Sequence, residues 1–404
     1  MTNAQGLIRL ARASQDYVAR LRHALHEIPE LGWREEKTMA LIQKEIRNIT
    51  SSSKVKVECH EKRGGVWVDL TFQSGRARLL YRADVDALPV EEQTKKSFAS
   101  KHQGLMHACG HDCHAAMLLG ALRILTGGEI KPEYNLRLVW QRAEEVGTTH
   151  SGGYVLVKEG MLKDISYCYG LHISSTDASG TFISRPHCFL SSTGTLEIEV
   201  GCLGGHVMSP ERGSNAIDIM TEIHLALRGY ELRSLGPHHI TLLVPSISRA
   251  GSATNIIPSR GKMWYAVRSF LSEQPLQDFV ALARNKVECI VHSYPGSTLS
   301  KFYYHPGYPP LINHPDNTRF VQKLLNQYFE TKMVAPVFAG EDFSYYLQGR
   351  IGSYWLLGAR KGGKTMHHTG LFNPDEGVLW QGVAFWLLLS ISPYVKVQQE
   401  DNYS

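Results

Sequence analysis

Thr195-Leu-Glu-Ile-Glu-Val200 sets apolar against polar side chains in strict alternation, the period of a strand with one buried face. Around it the pattern reads as a helix over 215–230, strands over 240–248 and 262–270, a helix over 274–292 and a last strand over 298–303. This βαββαβ order predicts a ferredoxin-like unit. It interrupts a chain of a different style. Before it, helices are read over 15–26 and 37–49, strands over 66–72 and 78–81, a helix over 114–125, and strands over 136–140 and 167–171. After it come a helix over 317–329, a strand over 353–357 and an apolar helix over 378–391. Strands alternating with helices predict a mostly parallel sheet covered on both faces, with functional groups where strands end. The expected class is α/β, a discontinuous domain of 1–187 and 305–404 carrying an inserted module of 188–304.

Composition narrows the function classes. Lys and Arg number 43 against 38 Asp and Glu, and the formal charge of +5 is scattered rather than gathered into one basic tract, so no nucleic-acid partner is expected. Asp16, Arg20, Arg22 and Glu27 interrupt the apolar positions of the first thirty residues, which is unlike a secretion signal. The apolar run over 378–391 falls short of the roughly 20 residues of a membrane span, so it is read as a buried helix and no membrane partner is expected. Seven scattered cysteines without a C-x-x-C pair fit a reducing compartment, and the expected location is the cytoplasm.

The chemistry is concentrated at element ends. Met106-His-Ala-Cys109-Gly-His111-Asp-Cys-His114 lies just before a predicted helix, and its thiolate and imidazoles suit zinc or another borderline transition metal. A structural zinc site would need a second ligand pair, which is missing. The strand over 136–140 delivers Glu144 and Glu145, the strand over 167–171 delivers His172, and the strand over 353–357 leads to His367-His368. Alone, two adjacent glutamates at a strand end are usually solvated. Together these ends supply one thiolate, at least three imidazoles and two carboxylates, enough to hold two metals and leave one carboxylate free. Hydrolysis needs that free carboxylate as a general base beside a metal-activated water. Neighbouring residues of an extended chain point to opposite sides, so one glutamate ligates while the other works as base.

Nine stretches occur in the order seen in the family-20 metallopeptidases. They are residues 22–38, Arg82-Ala-Asp-Val-Asp-Ala-Leu-Pro89, the run over 106–121, Gln141-x-Ala-Glu-Glu145, Gly170-Leu-His172, Gly204-Gly-His206, Asn255-Ile-Ile-Pro258, Gly340-Glu-Asp-Phe343 and His367-His368. The chain resembles their amidohydrolase branch: aminoacylases, hippurate hydrolases and indole-acetyl-amino-acid hydrolases. The resemblance implies metal ligands Cys109, His111, Glu145, His172 and His367, with Glu144 as general base. It implies two divalent ions per subunit, zinc or manganese first and cobalt or nickel next. The inserted module becomes a lid that dimerises, with His206 polarising the scissile carbonyl in the partner subunit's site and Asn255 and Arg268 near the substrate carboxylate. The implied partners are an N-acyl amino acid and a second copy of the chain.

The chain departs from the family pattern in three places: Arg142 stands where Pro is common, residues 148–151 are polar where small residues are usual, and Thr369-Gly370 replaces a Pro after the two histidines. The last leaves His368 as the alternative to His367. One of Asp84 and Asp86 is expected to orient an imidazole rather than to ligate, and neither is taken as a ligand, because the nearby thiolate and imidazoles argue against an oxygen-only site. A dipeptidase or carboxypeptidase activity is the runner-up, differing only in pocket lining. Gly358-Ala-Arg-Lys-Gly-Gly-Lys-Thr365 also satisfies the Walker A expression, which makes nucleotide binding a remote alternative. That motif needs a helix directly after the loop, and Gly370 and Pro374 bar one before about residue 375.

Overall fold

Residues 4–147, 150–233, 241–363 and 366–394 are described by the computed structural model. The chain begins with helices α1 (Ala4–Ala13), α2 (Gln15–His26) and α3 (Glu36–Thr50) and strands β1 (Lys56–Lys62), β2 (Gly65–Thr71) and β3 (Arg78–Asp84). Helix α4 (His111–Thr126), β4 (Asn135–Gln141), α5 (Gly152–Lys158), β5 (Tyr167–Ser174), β6 (Phe182–Ser184) and β7 (His187–Leu190) follow. Next come β8 (Ser192–Gly201), β9 (Gly205–His206), α6 (Ala216–Arg233), β10 (Thr241–Ala250), β11 (Ile256–Ile257), β12 (Arg260–Ser269), α7 (Glu273–Ser293) and β13 (Thr298–Pro306). The chain then runs through β14 (Leu311–Asn313), α8 (Pro315–Leu325), β15 (Thr331–Met333), α9 (Ser344–Leu347), β16 (Ile351–Gly358) and α10 (Leu379–Ile391).

The large sheet has the order β1-β2-β4-β3-β5-β16-β6-β15. Its centre is parallel, β4 with β3, β3 with β5 and β5 with β16. The antiparallel pairs β1–β2, β2–β4 and β16–β6 make it a mixed sheet. The physical reason is plain for the first pair: two residues, Arg63 and Gly64, join β1 to β2, and so short a link closes only an antiparallel hairpin. Helix α4 is buried along almost its whole length. A Cβ at Gly120 would lie 2.7 Å from Val18 on α2 and 3.0 Å from Val383 on α10, so the missing side chain lets three helices approach. Helix α10 is the buried apolar helix expected, and no helix among the described residues is long and apolar enough to cross a membrane.

The small sheet has the order β10-β12-β8-β13 with every pair antiparallel, as the ferredoxin-like reading requires. Leu196, Ile198 and Val200 pack under Ile219 and Ile223 of α6 and Phe279 and Val287 of α7, in a core separate from that of the large sheet. Glu197, expected on the solvent face, is buried there because Lys262, Lys301 and His305 close over it at 3.0, 2.8 and 3.1 Å. Several elements were not anticipated, among them α1, α5 and β1. Helix α8 stops at Leu325 rather than 329, and α4 starts at His111 rather than 114. Ile240, the first residue of an expected strand, lies outside the described residues.

Candidate metal centre and active site

Backbone conformation aims the Cys-His loop. Gly110 takes φ 98, a left-handed conformation open to glycine at little cost, and turns the chain directly into α4. This leaves Cys109 on one side of the turn and His111 as the first helical residue. Cys109 Sγ lies 3.3 Å from His172 Nε2 at the end of β5. His172 donates Nδ1–H to the Ile173 carbonyl at 2.6 Å, so its Nε2 lone pair faces the thiol. His111 Nδ1 sits 3.2 Å from Asp86 Oδ1, while its buried Nε2 finds no hydrogen-bond partner among the described residues and lies 3.9 Å from Glu145 Oε1. His114 is committed elsewhere: Nδ1 meets Asp84 at 2.6 Å and Nε2 accepts the Ile173 N–H at 2.8 Å.

The donor atoms of Cys109, His111 and His172 fall within 4.8 Å of one another, as do those of Cys109, Glu145 and His368, and those of His111, Glu144 and Glu145. His367 Nε2 accepts the Ser175 N–H at 3.2 Å, and its ring centroid is 5.6 Å from that of His172. His368 Nε2 is 3.3 Å from Glu145 Oε1. Both histidines therefore reach the cleft. Two buried ring nitrogens of this cluster, His111 Nε2 and His367 Nδ1, find no hydrogen-bond partner among the described residues, and stranding such atoms is costly unless something coordinates them. Thiolate, imidazole and carboxylate donors at these spacings fit borderline divalent transition ions.

Electrostatics point the same way. Burial, then Glu145 and Glu144, push the Cys109 thiol up. Burial, helped by His114 and His367, holds His172 neutral and well below the usual histidine range, and His367 falls to about 4 from burial and from His368. Burial opposes charging His111 too, but Asp84, Asp86 and Glu145 outweigh it and raise the group to about 10. Glu144 is pushed well up by burial, Glu341 and Glu145. A cation among these groups relieves the crowding of carboxylates.

The turn after β4 is pinned from several sides. Ala143 stands at φ 54, left-handed for a residue with a Cβ, and its N–H donates to Glu35 at 2.7 Å. The Glu145 N–H donates to Asp86 at 2.8 Å. Arg142 fills the position where Pro was expected: its side chain reaches Glu35 at 2.9 Å, and its backbone N–H, which a proline lacks, donates to the Gly64 carbonyl at 2.9 Å. Of the polar stretch 148–151, residues 148 and 149 lie outside the described residues.

Arg268 on β12 lines the same cleft, about 680 Å³, as Cys109, Glu144, Glu145, His172, His367 and His368. His206 and Asn255 do not line it. They sit together on the exposed ribbon of β9 and β11, where the Val207 N–H donates to the Asn255 carbonyl at 3.4 Å. Residues 358–363 leave β16 as a non-helical loop, Lys364 and Thr365 lie outside the described residues, and the next helix is α10, preceded by one helical turn over Glu376–Val378. The helix start that a phosphate loop requires is absent from the described residues there.

The sequence reading named Glu341 and Asp342 but assigned them no role. The structure puts them beneath Glu144, with all three donor sets within 4.8 Å. Buried Arg82 meets Asp84 at 2.5 Å, Asp342 at 2.5 Å and Glu341 at 3.0 Å. Their one signal in sequence was the Gly340-Glu-Asp-Phe343 motif itself, because no periodicity links a loop at 341 to a strand at 82.

The profile of the family described as Peptidase family M20/M25/M40 matches residues 80–390. Thermostable carboxypeptidase 1 of Saccharolobus solfataricus is 33% identical over 94% of this chain and 96% of its own. N-acetyl-L-cysteine deacetylase of Bacillus subtilis is 32% identical over 88% of this chain and 83% of its own. The crystal structure of the YXEP protein of Bacillus subtilis, described as a dinuclear metal binding peptidase, superposes with a TM-score of 0.80 at 25% identity, covering 94% of this chain and 97% of that one. With a cleft of thiolate, imidazole and carboxylate donors at its strand ends, the chain belongs to the M20 family of metal-dependent hydrolases, in its amidohydrolase branch.

Proposed function

We propose that the protein hydrolyses the amide bond of N-acyl amino acids. The observation that carries this reading is that Cys109, Glu145, His172 and His367 share one cleft with a buried neighbour, Glu144, and with a single guanidinium from the small sheet, Arg268, while His111 lies behind it with its donor atom within 4.8 Å of those of Cys109, His172, Glu144 and Glu145. There Cys109, His111, Glu145, His172 and His367 hold two divalent ions, zinc or manganese first and cobalt or nickel next, with His368 the alternative to His367. When bound, the ions supply an acidified water and an electrophile for the amide carbonyl. Glu144 takes the proton of the attacking water and returns it to the leaving nitrogen. Arg268 offers a fork of N–H donors that matches a carboxylate, and Asn255, outside the cleft of its own chain, is assigned to the same carboxylate. The deacetylase relative supports this substrate class.

In the same reading residues 1–187 and 305–404 form the catalytic domain, and 188–304 form a lid that dimerises and brings His206 to the other subunit's carbonyl. The exposure of His206, and its place outside the cleft of its own chain, support that role. All seven cysteines are unpaired, which supports a reducing cytoplasm. Element analysis of the purified protein, followed by a panel of N-acetyl, N-benzoyl and indole-acetyl amino acids, tests the proposal. Two equivalents of metal and cleavage of at least one of them are expected. Metal-loaded protein that cleaves none of them but trims peptides would install the second reading, a dipeptidase or carboxypeptidase, which the carboxypeptidase relative favours.

A further inference from the structure

Tyr308 lies in the segment that carries the chain from β13 back to the large sheet, and it is buried, with 4% of its surface exposed. Its hydroxyl donates to the Glu144 carbonyl and accepts the Gly147 N–H at 2.7 Å, so a single phenol closes the turn that displays Glu144 and Glu145. A tyrosine hydroxyl has one proton to give, and here it goes to the backbone of the proposed base.

The other end of Tyr308 is held as firmly. Its N–H donates to Thr193 Oγ1 at 2.8 Å, and its carbonyl accepts the Thr193 N–H at 2.9 Å. Thr193 is the register partner of Arg268 across β8 and β12. There is no slack around it: a Cβ on Gly307 would lie 2.2 Å from Thr193 Oγ1, and one on Gly340 2.2 Å from Thr193 Cγ2. A continuous row therefore leads from Arg268 through Thr193 and Tyr308 to Glu144, and all four line the cleft.

We propose that Tyr308 is a positioning residue for the reaction: its hydroxyl fixes the Glu144 turn and ties it to the strand pair that carries Arg268. The inference rests on the reading of Glu144 as general base. Although its ring lines the cleft, its hydroxyl is spent on the Glu144 carbonyl and the Gly147 N–H, so Tyr308 acts through the backbone on which the base is mounted. Tyr308→Phe keeps the ring, whose centroid is 6.1 Å from that of Tyr345, and removes only the hydroxyl.

The test compares kcat, KM and metal content for the parent protein, Tyr308→Phe, Glu144→Gln and the double variant, on an N-acyl amino acid that the parent cleaves. Tyr308→Phe should lower kcat roughly 10- to 100-fold, the usual cost of a misplaced catalytic group, with KM within about twofold and metal content unchanged. In the Glu144→Gln background the same change should cost less than about twofold, since residues acting as a unit are non-additive. An unchanged kcat, an equal loss in both backgrounds, or loss of metal would overturn the proposal; the last would show Tyr308 acting through Glu145. Full activity of Glu144→Gln would instead remove the reading of the base itself. If Tyr308→Phe fails to fold, Thr193→Val removes the acceptor of the Tyr308 N–H and carries the same comparison, with a smaller loss confined to kcat.

Discussion

Asp86 holds His111 with one carboxylate oxygen, at 3.2 Å, and the backbone N–H of Glu145 with the other, at 2.8 Å. One buried side chain thus orients the first residue of α4 and a residue of the turn after β4.

Asp86→Ala should weaken metal retention by about 10- to 100-fold, the usual cost of losing a group that orients a ligand. Titrating metal back into chelator-stripped protein measures it. Parent-like affinity would remove Asp86 from the centre.

Cys109→Ala and Glu144→Gln should separate binding from proton transfer. Cys109→Ala lowers bound metal and turnover together. Glu144→Gln keeps the metal and loses roughly 10² to 10⁴ in rate. Metal analysis beside kcat decides, and metal loss in Glu144→Gln with no rate effect at saturating ion would mean that the two glutamates have exchanged roles.

If Arg268 grips the substrate carboxylate, an N-acyl amino acid methyl ester should be a poor substrate, and Arg268→Ala should act poorly on acid and ester alike. Equal kcat/KM for acid and ester in the parent protein would count against Arg268 as the anchor.

His26 gives a pH signature of stability. Burial lowers its affinity for a proton, but Asp112 at 2.8 Å and Glu92 at 3.3 Å outweigh that and raise it from 6.5 to about 9. A group raised on folding stabilises fully below its unfolded value and loses that contribution as pH rises through the folded one. The gap in Tm between the parent protein and His26→Asn should thus be widest below about pH 6.5 and narrow towards pH 9. A gap that grows with pH would show that His26 is held neutral.

Glu144→Gln and His206→Ala, mixed under conditions that exchange subunits, test the cross-subunit role. If His206 acts in trans, half the dimers are mixed and each has one intact site, so roughly a quarter of parental activity returns. No recovery, with exchange independently confirmed, would discard it.

Periodicity carried most of the fold. Thr195 to Val200 announced β8 and with it the inserted unit, and His172 was placed because an apolar run of strand length stops there. What escaped were elements without a clean period, such as β1, which lies exposed at the sheet edge and alternates little. The site divided likewise. Chemistry-bearing residues in dense motifs were legible, whereas Tyr308 sits in an aperiodic loop among prolines and acts through one hydroxyl on a backbone 164 positions away. Arg82 was visible in a motif, but its partners Glu341 and Asp342 are brought to it by chain crossings that local spacing does not encode.

The left-handed Ala143 also bears on the order in which the molecule is made. Such a conformation costs an L-residue roughly 1 to 2 kcal/mol, and the turn it opens is held by Glu35 before β1, Asp86 after β3 and Tyr308 after β13. None of these three is local to residues 142–147; the nearby support among the described residues is the Gly152 N–H, which donates to the Ala143 carbonyl at 3.1 Å. During synthesis Tyr308 emerges after the whole small sheet. The Glu144 turn therefore gains its full set of contacts only once residues from three distant parts of the chain have met.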